Sequence, residues 1–154
     1  MANGPGFTPQ LLDSPAGEAL RENLYVVSSI APPALDNPAA KELQEAFAAA
    51  YPDDPPTQVG SVFGYVQSLV TMHVLQQACD NNDLSRQGVI DAMHQLSAVD
   101  TGGLVAGTLD YTDPAKPPSR AVYISQPDSS VPGGLKLVEG PIESEPAKTY
   151  QPTG

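Results

Sequence analysis

The chain has 154 residues, 40% of them apolar, and a formal net charge of -11, with seven Lys and Arg against 18 Asp and Glu. That is the length of one ordinary domain, enough to bury about two thirds of the unfolded surface. It has too few cations to neutralise many phosphates, which excludes nucleic acid and anionic membranes as partners. A single cysteine, Cys79, excludes an intrachain disulfide, and no apolar run approaches the roughly 20 residues of a bilayer span.

The 17 prolines and 13 glycines gather between segments that read as regular structure. Residues 1 to 23 read as a loop and a short helix, with Asp13 or Ser14 as cap and Pro15 at the first helical position. Leu24 to Ile30, LYVVSSI, is β-branched and aromatic and is stopped by Pro32-Pro33, which predicts a strand. Asn37-Pro38 opens a helix to about Tyr51, with Leu43 and Phe47 one turn apart.

From about Val59 to Cys79 apolar residues recur at helical spacing, but Met72, Leu75 and Ala78 widen the stripe beyond one face. Such a helix needs cover on several sides, more than this chain supplies. Asp83 or Ser85 caps a further helix with Val89, Ile90, Met93 and Leu96 on one face. Leu104 to Leu109, Arg120 to Gln126 and Leu135 to Val138 are expected strands, the last two joined through the turn at residues 127 to 134. The proline-bearing tail from Pro141 to Gly154 is expected to be extended or mobile.

Catalytic and metal chemistry find little support. His73, Cys79 and His94 have no recognised zinc spacing, and Cys79 at the end of a buried helix is expected to behave as a small hydrophobe. No Gly-x-Ser-x-Gly elbow surrounds Ser97 or Ser125, and the glycines near 102 to 107 lack the lysine of a phosphate loop. Asp110 and Asp113 read as a solvated turn rather than a calcium loop. No enzyme, cofactor or metal site is expected. The start, Met1-Ala2-Asn3-Gly4, has no basic and apolar leader, so as written no secretion signal is expected.

Four patterns in this order carry a resemblance: GPGF at Gly4 to Phe7 with AGEAL and LYVVSS; NPAAKELQEAFAAAYP; FGYVQSLVTMHVLQQA; and DTGGLVAGTLDYTD with a following strand and turn. The chain resembles the C-terminal part of extracytoplasmic solute-binding proteins of ABC importers, the type I periplasmic-binding fold of the leucine/isoleucine/valine receptor family. The resemblance implies an α/β architecture, a partial type I periplasmic-binding fold whose helices lie on a mostly missing parallel sheet, with antiparallel strands at the C-terminal end. It divides the chain at 1–30 (end of a second-lobe segment, with a strand toward a hinge), 31–113 (first-lobe helices and strand), 114–140 (returning strands and hairpin) and 141–154 (extended tail).

Implied partners are a small amino-acid-like or more apolar solute, ABC permease subunits, and a missing N-terminal part or another chain to complete the core. The implied place of action is outside the cytoplasm, at the cell envelope. By resemblance Gln58, in Thr57 to Ser61 ahead of the long helix, faces the ligand's apolar part. Gly6 and Phe7 lie at a turn where amino-acid receptors often carry an acid; its absence here suggests a more apolar or aromatic solute than an ordinary amino acid. Ser28 and Ser29 either contact the ligand or end a strand, and Tyr65 reads as core or hinge-facing. A stand-alone oligomeric interaction or sensor subunit with half of this fold is the competing expectation.

Overall fold

A computed structural model describes residues 1–54 and 58–151. Four strands form one mixed sheet, in the order β1-β2-β3-β4. β1 (Ala2–Asn3) runs parallel to β2 (Val26–Ser28), with Ala2 opposite Val26. β3 (Val122–Pro127) is antiparallel to both β2 and β4 (Leu135–Ile142). β3 alternates half-buried with buried residues, the period-2 signature of a strand facing a core on one side. Two short 3-10 turns, Gly4–Gly6 and Pro9–Asp13, lead from β1 to helix α1 (Gly17–Asn23), which begins later than the cap expected at Asp13 or Ser14.

The segment between β2 and β3 is helical. α2 (Pro38–Ala50) starts as its sequence dictates: Asn37 Oδ1 accepts from the Ala40 N–H at 2.7 Å, and Pro38 occupies a first-turn position that needs no donor. α3 (Val59–Asp80) is followed by α4 (Arg86–Met93), where Ser85 Oγ accepts from the Gly88 N–H at 3.1 Å. The main core joins Ala40 and Leu43 of α2 and Val62 and Val66 of α3 to Val99, Leu104, Val105 and Leu109. A smaller cluster of Ala31, Ala106 and Tyr123 connects this helical part to the sheet.

Four expectations are corrected. Residues 104 to 109 form no strand: Gly102, Gly103 and Gly107 take positive φ and bend the chain, leaving isolated bridges at Val105 to Ile30 and Leu109 to Val99. The described part of the tail is ordered structure, since β4 extends to Ile142 and α5 (Glu145–Thr149) follows, capped by Ser144 Oγ accepting from Ala147 N–H. Residues 152 to 154 of that tail lie outside the described residues. Cys79 is exposed rather than buried, and Tyr65, 39% exposed, is not core.

α3 has the surplus of apolar surface that its sequence predicts. Val62, Val66, Val74 and Ala78 are buried, whereas Phe63, Met72 and Leu75 remain 48%, 66% and 40% exposed. Helices α2 to α4 lie between β2 and β3 in sequence, yet that stretch contributes no strand among its described residues. In a layered α/β domain such helices cover a sheet. No described helix is long and apolar enough to cross a membrane.

Candidate functional site

The chain passes from the sheet to the helices at Ser28, Ser29 and Ile30. Here β2 ends because the Ser28 hydroxyl accepts from the Ile30 N–H at 3.0 Å, replacing a ladder bond. The backbone then pairs with the 104–106 turn: Ala106 N–H donates to Ser29 O at 2.8 Å, and Ala31 N–H donates to Leu104 O at 2.9 Å. The returning chain is tied to the same point, since Ser119 Oγ donates to Ala106 O at 2.6 Å. Tyr123 of β3 adds a bond from its hydroxyl to Gly103 O at 2.7 Å. Two crossings and one turn are thereby held together between the sheet and the helices.

Beside this junction lies a cavity of about 410 Å³. Pro5, Phe7 and Pro9 border it from the N-terminal turns, Ser28, Ser29 and Ile30 from the crossing, and Gln58, Val59, Gly60 and Phe63 from the start of α3. Among the described residues, no Asp, Glu, Lys, Arg or His stands on its wall. Asp13 borders an adjoining depression, shared with Gln58 and the 129–134 turn, and not this cavity. A mostly apolar hollow with a few neutral polar groups is the usual composition of a small-molecule site.

Of the residues singled out by sequence, Gln58, Phe7 and Ser29 lie on one wall together, and Ser28 joins them. Gly6 does not: a side chain there would meet Asn3 Oδ1 at 3.1 Å and Ala2, outside the cavity. Thr57 lies outside the described residues. Gln58 is the residue before the first turn of α3, its N–H directed at Ser61 Oγ at 3.4 Å and its carbonyl accepting from the Ser61 and Val62 N–H groups. The N-terminal end of this 22-residue helix therefore opens on the cavity, where its dipole favours the negative end of a ligand.

Gly60 lay within the Thr57 to Ser61 segment singled out by sequence but was given no role of its own, and Phe63 was missed as a wall residue because it matched the helix's apolar stripe. A signal existed. Glycines at 60 and 64, four apart and so on one face of the helix, leave its backbone uncovered there. A Cβ built on either would meet nothing within 4 Å.

The fold is thus an α/β arrangement in which a sheet and a helical part are joined by crossing segments beside an uncharged hollow. Comparison with protein families matches residues 1–132 to the family described as Periplasmic binding protein. The chain belongs to that family. Among solved structures it is similar to the fatty acid ABC transporter substrate-binding protein from Thermomonospora curvata, at 38% identity and a TM-score of 0.88 over 97% of this chain. It is also similar in fold to a substrate-binding periplasmic protein from Ralstonia solanacearum, at 23% identity and a TM-score of 0.63 over 86% of this chain. The chain spans 38% and 36% of the lengths of those two proteins. A search of curated proteins finds no match.

Proposed function

We infer that this chain is the ligand-binding portion of a solute receptor for an ABC importer, and that its solute has an apolar body with a polar or carboxylate end. The observation that carries this reading is the uncharged cavity at the start of α3. Phe7, Ile30, Val59 and Phe63 offer apolar contact, while Ser28, Ser29 and Gln58 offer neutral polar groups beside a helix N-terminus. An α-amino acid would bring an ammonium group to a wall without a carboxylate, a costly arrangement at a partly desolvated site. The printed name of the Thermomonospora curvata relative, a fatty acid binder, agrees with the apolar reading.

In the complete receptor the mechanism is closure of two lobes about the crossing segments, driven by tighter binding to the closed state. Permease subunits in the membrane are the partners, and the place of action is outside the cytoplasm. Further polypeptide covers the exposed side of α3, either more of the same receptor or, in the competing reading of a half-fold subunit, a second chain. Both readings are non-enzymatic.

Calorimetric titration of the chain with decanoate and with leucine tests the solute class. Decanoate is expected to bind at least about tenfold more tightly, as the burial of several additional methylenes requires. Leucine binding more tightly than decanoate would overturn the apolar reading. Light scattering on the same sample separates the two receptor readings, because a cooperative homo-oligomer favours the stand-alone subunit.

A further inference from the structure

We propose that Gly133 is a positioning residue for the cavity: by offering no side chain to Pro33 it lets the turn between β3 and β4 settle against the helical side of the molecule, and that approach sets how tightly the cavity encloses a solute. This rests on the receptor reading above and adds to it a residue that tunes the site through a contact outside it.

Local chemistry explains only half of this glycine. Val131 to Gly134 form a reverse turn in which the Gly134 N–H donates to the Val131 carbonyl at 3.0 Å. Pro132 holds the second position and Gly133 the third, at φ +70 and ψ 3. That is a type II turn, which asks for Gly or Asn at its third position. Asn would therefore satisfy the turn, but it would not satisfy the neighbour. A Cβ at 133 would stand 2.5 Å from Cγ and 3.0 Å from Cβ of Pro33, whereas ordinary contact begins at 3.4 Å.

Neither side of this contact yields easily. Pro33 is a rigid, fully buried ring whose carbonyl accepts from the Gln44 side chain of α2. Two residues earlier, the Ala31 N–H is tied to Leu104 O. The turn is braced by Asp128, whose N–H donates to Gly134 O at 3.0 Å and whose carboxylate accepts from the Ser130 N–H and hydroxyl at 2.8 and 2.6 Å. A side chain at 133 would thus push the turn and Pro33 apart by roughly 1 Å instead of denting either.

The cavity would register that separation. Gly133 stands on its wall, and with Pro9 and Gln58 it also borders the adjoining depression, so these three residues divide the two spaces. Gly134 lies against Pro9, which couples the turn to a second part of the divider. Moving the turn away from Pro33 opens the divider beside Gln58, and the apolar cavity then joins a depression bordered by Asp13, Ser129 and Ser130. A gap of about 0.5–1 Å already forfeits a quarter to a half of the dispersion attraction across it.

Calorimetric titration of decanoate into the wild-type chain, Gly133→Asn, Pro33→Ala and the double variant tests the proposal, with urea unfolding of each as the measure of folding. Gly133→Asn keeps the turn and introduces the Cβ, and is expected to weaken decanoate about tenfold. Pro33→Ala removes the ring on which the turn rests and is expected to weaken it about threefold. Adding Gly133→Asn to Pro33→Ala should cost no further affinity, so that the double variant binds more tightly than Gly133→Asn alone. A merely structural glycine would lower the urea midpoint without this rescue of affinity.

An equal loss of affinity from Gly133→Asn in both backgrounds, or no loss in either, overturns the proposal while the receptor reading stands. Should Gly133→Asn fail to fold, Pro33→Ala decides alone, and an affinity equal to that of the wild type overturns the proposal. If the wild-type chain takes up no decanoate, the apolar reading of the cavity has failed and the proposal falls with it.

Discussion

The junction between sheet and helices is expected to depend on one hydroxyl, that of Tyr123, and Tyr123→Phe removes it while leaving the ring. Tyr123 is 3% exposed, sits on β3, and donates to the Gly103 carbonyl at 2.7 Å. Gly103 takes φ +79, so its carbonyl is held in place by a turn that few other residues would adopt. The neighbouring Gly102 carbonyl accepts from Asn37 Nδ2 at 2.9 Å, and Asn37 also caps α2. One glycine turn thus receives a strand from one side and a helix start from the other. Losing the hydroxyl forfeits a net hydrogen bond worth about 1 kcal/mol and leaves a half-buried carbonyl unpaired, for a total of about 1–3 kcal/mol. For a chain of this size that corresponds to a fall in Tm of roughly 2–10 °C. Urea unfolding followed by circular dichroism measures it, and Asn37→Ala, alone and combined with Tyr123→Phe, completes a double-mutant cycle. Because both residues restrain one turn, their effects should couple by about 0.5 kcal/mol or more. A Tyr123→Phe protein as stable as the wild type, or strictly additive variants, would refute the idea that this turn holds the two parts together.

Three other outcomes are expected. Gly60→Leu places a side chain where nothing stands within 4 Å, so thermal stability should hold or rise by up to about 0.5 kcal/mol while decanoate binding drops, as read by a melting scan and calorimetry together. Gly17→Ala should cost about 1–3 kcal/mol in urea unfolding, because the new Cβ would lie 2.1 Å from the Leu12 carbonyl oxygen and the backbone must move. In acid, Asp83 and Asp110 are held below the ordinary carboxylate range by the hydroxyls and N–H groups of Ser85 and Thr112, and Asp128 chiefly by those of Ser130. Their contribution is complete above the unfolded-state value of about 3.9 and is lost as pH falls through the lower folded-state values, so urea midpoints should decline below about pH 4 and recover on return to neutral pH.

The order of elements was legible because local chemistry writes it. Asn37-Pro38 and Ser85 announce helix starts through oxygens that reach back to N–H groups within three residues, and LYVVSS announces a strand through its branched side chains. The same chemistry was present and overlooked at Ser144-Glu145-Pro146, where a cap and a first-turn proline opened α5 within a tail expected to be extended. At residues 104 to 109 the apolar run suggested a strand, but three positive-φ glycines overrode it, and isolated bridges to Ile30 and Val99 took its place.

The site was legible only in part. Gln58, Phe7 and Ser29 were singled out from a resemblance, and nothing in their spacing along the chain says that they border one hollow. That hollow exists because β2 stops at Ser28 and the chain turns toward the helices, carrying Phe7 and the start of α3 to the same place. Phe63 and Val66 carry similar apolar side chains three residues apart, yet one faces the cavity and the other the core. By itself the sequence determined the acidic charge, the helix caps, the strand composition and the apolar excess of α3, since each depends on residues within a turn or two. Which of α3's faces is buried, and which is left for a ligand or further polypeptide, was decided by tertiary structure alone, because that choice depends on partners far away in the chain.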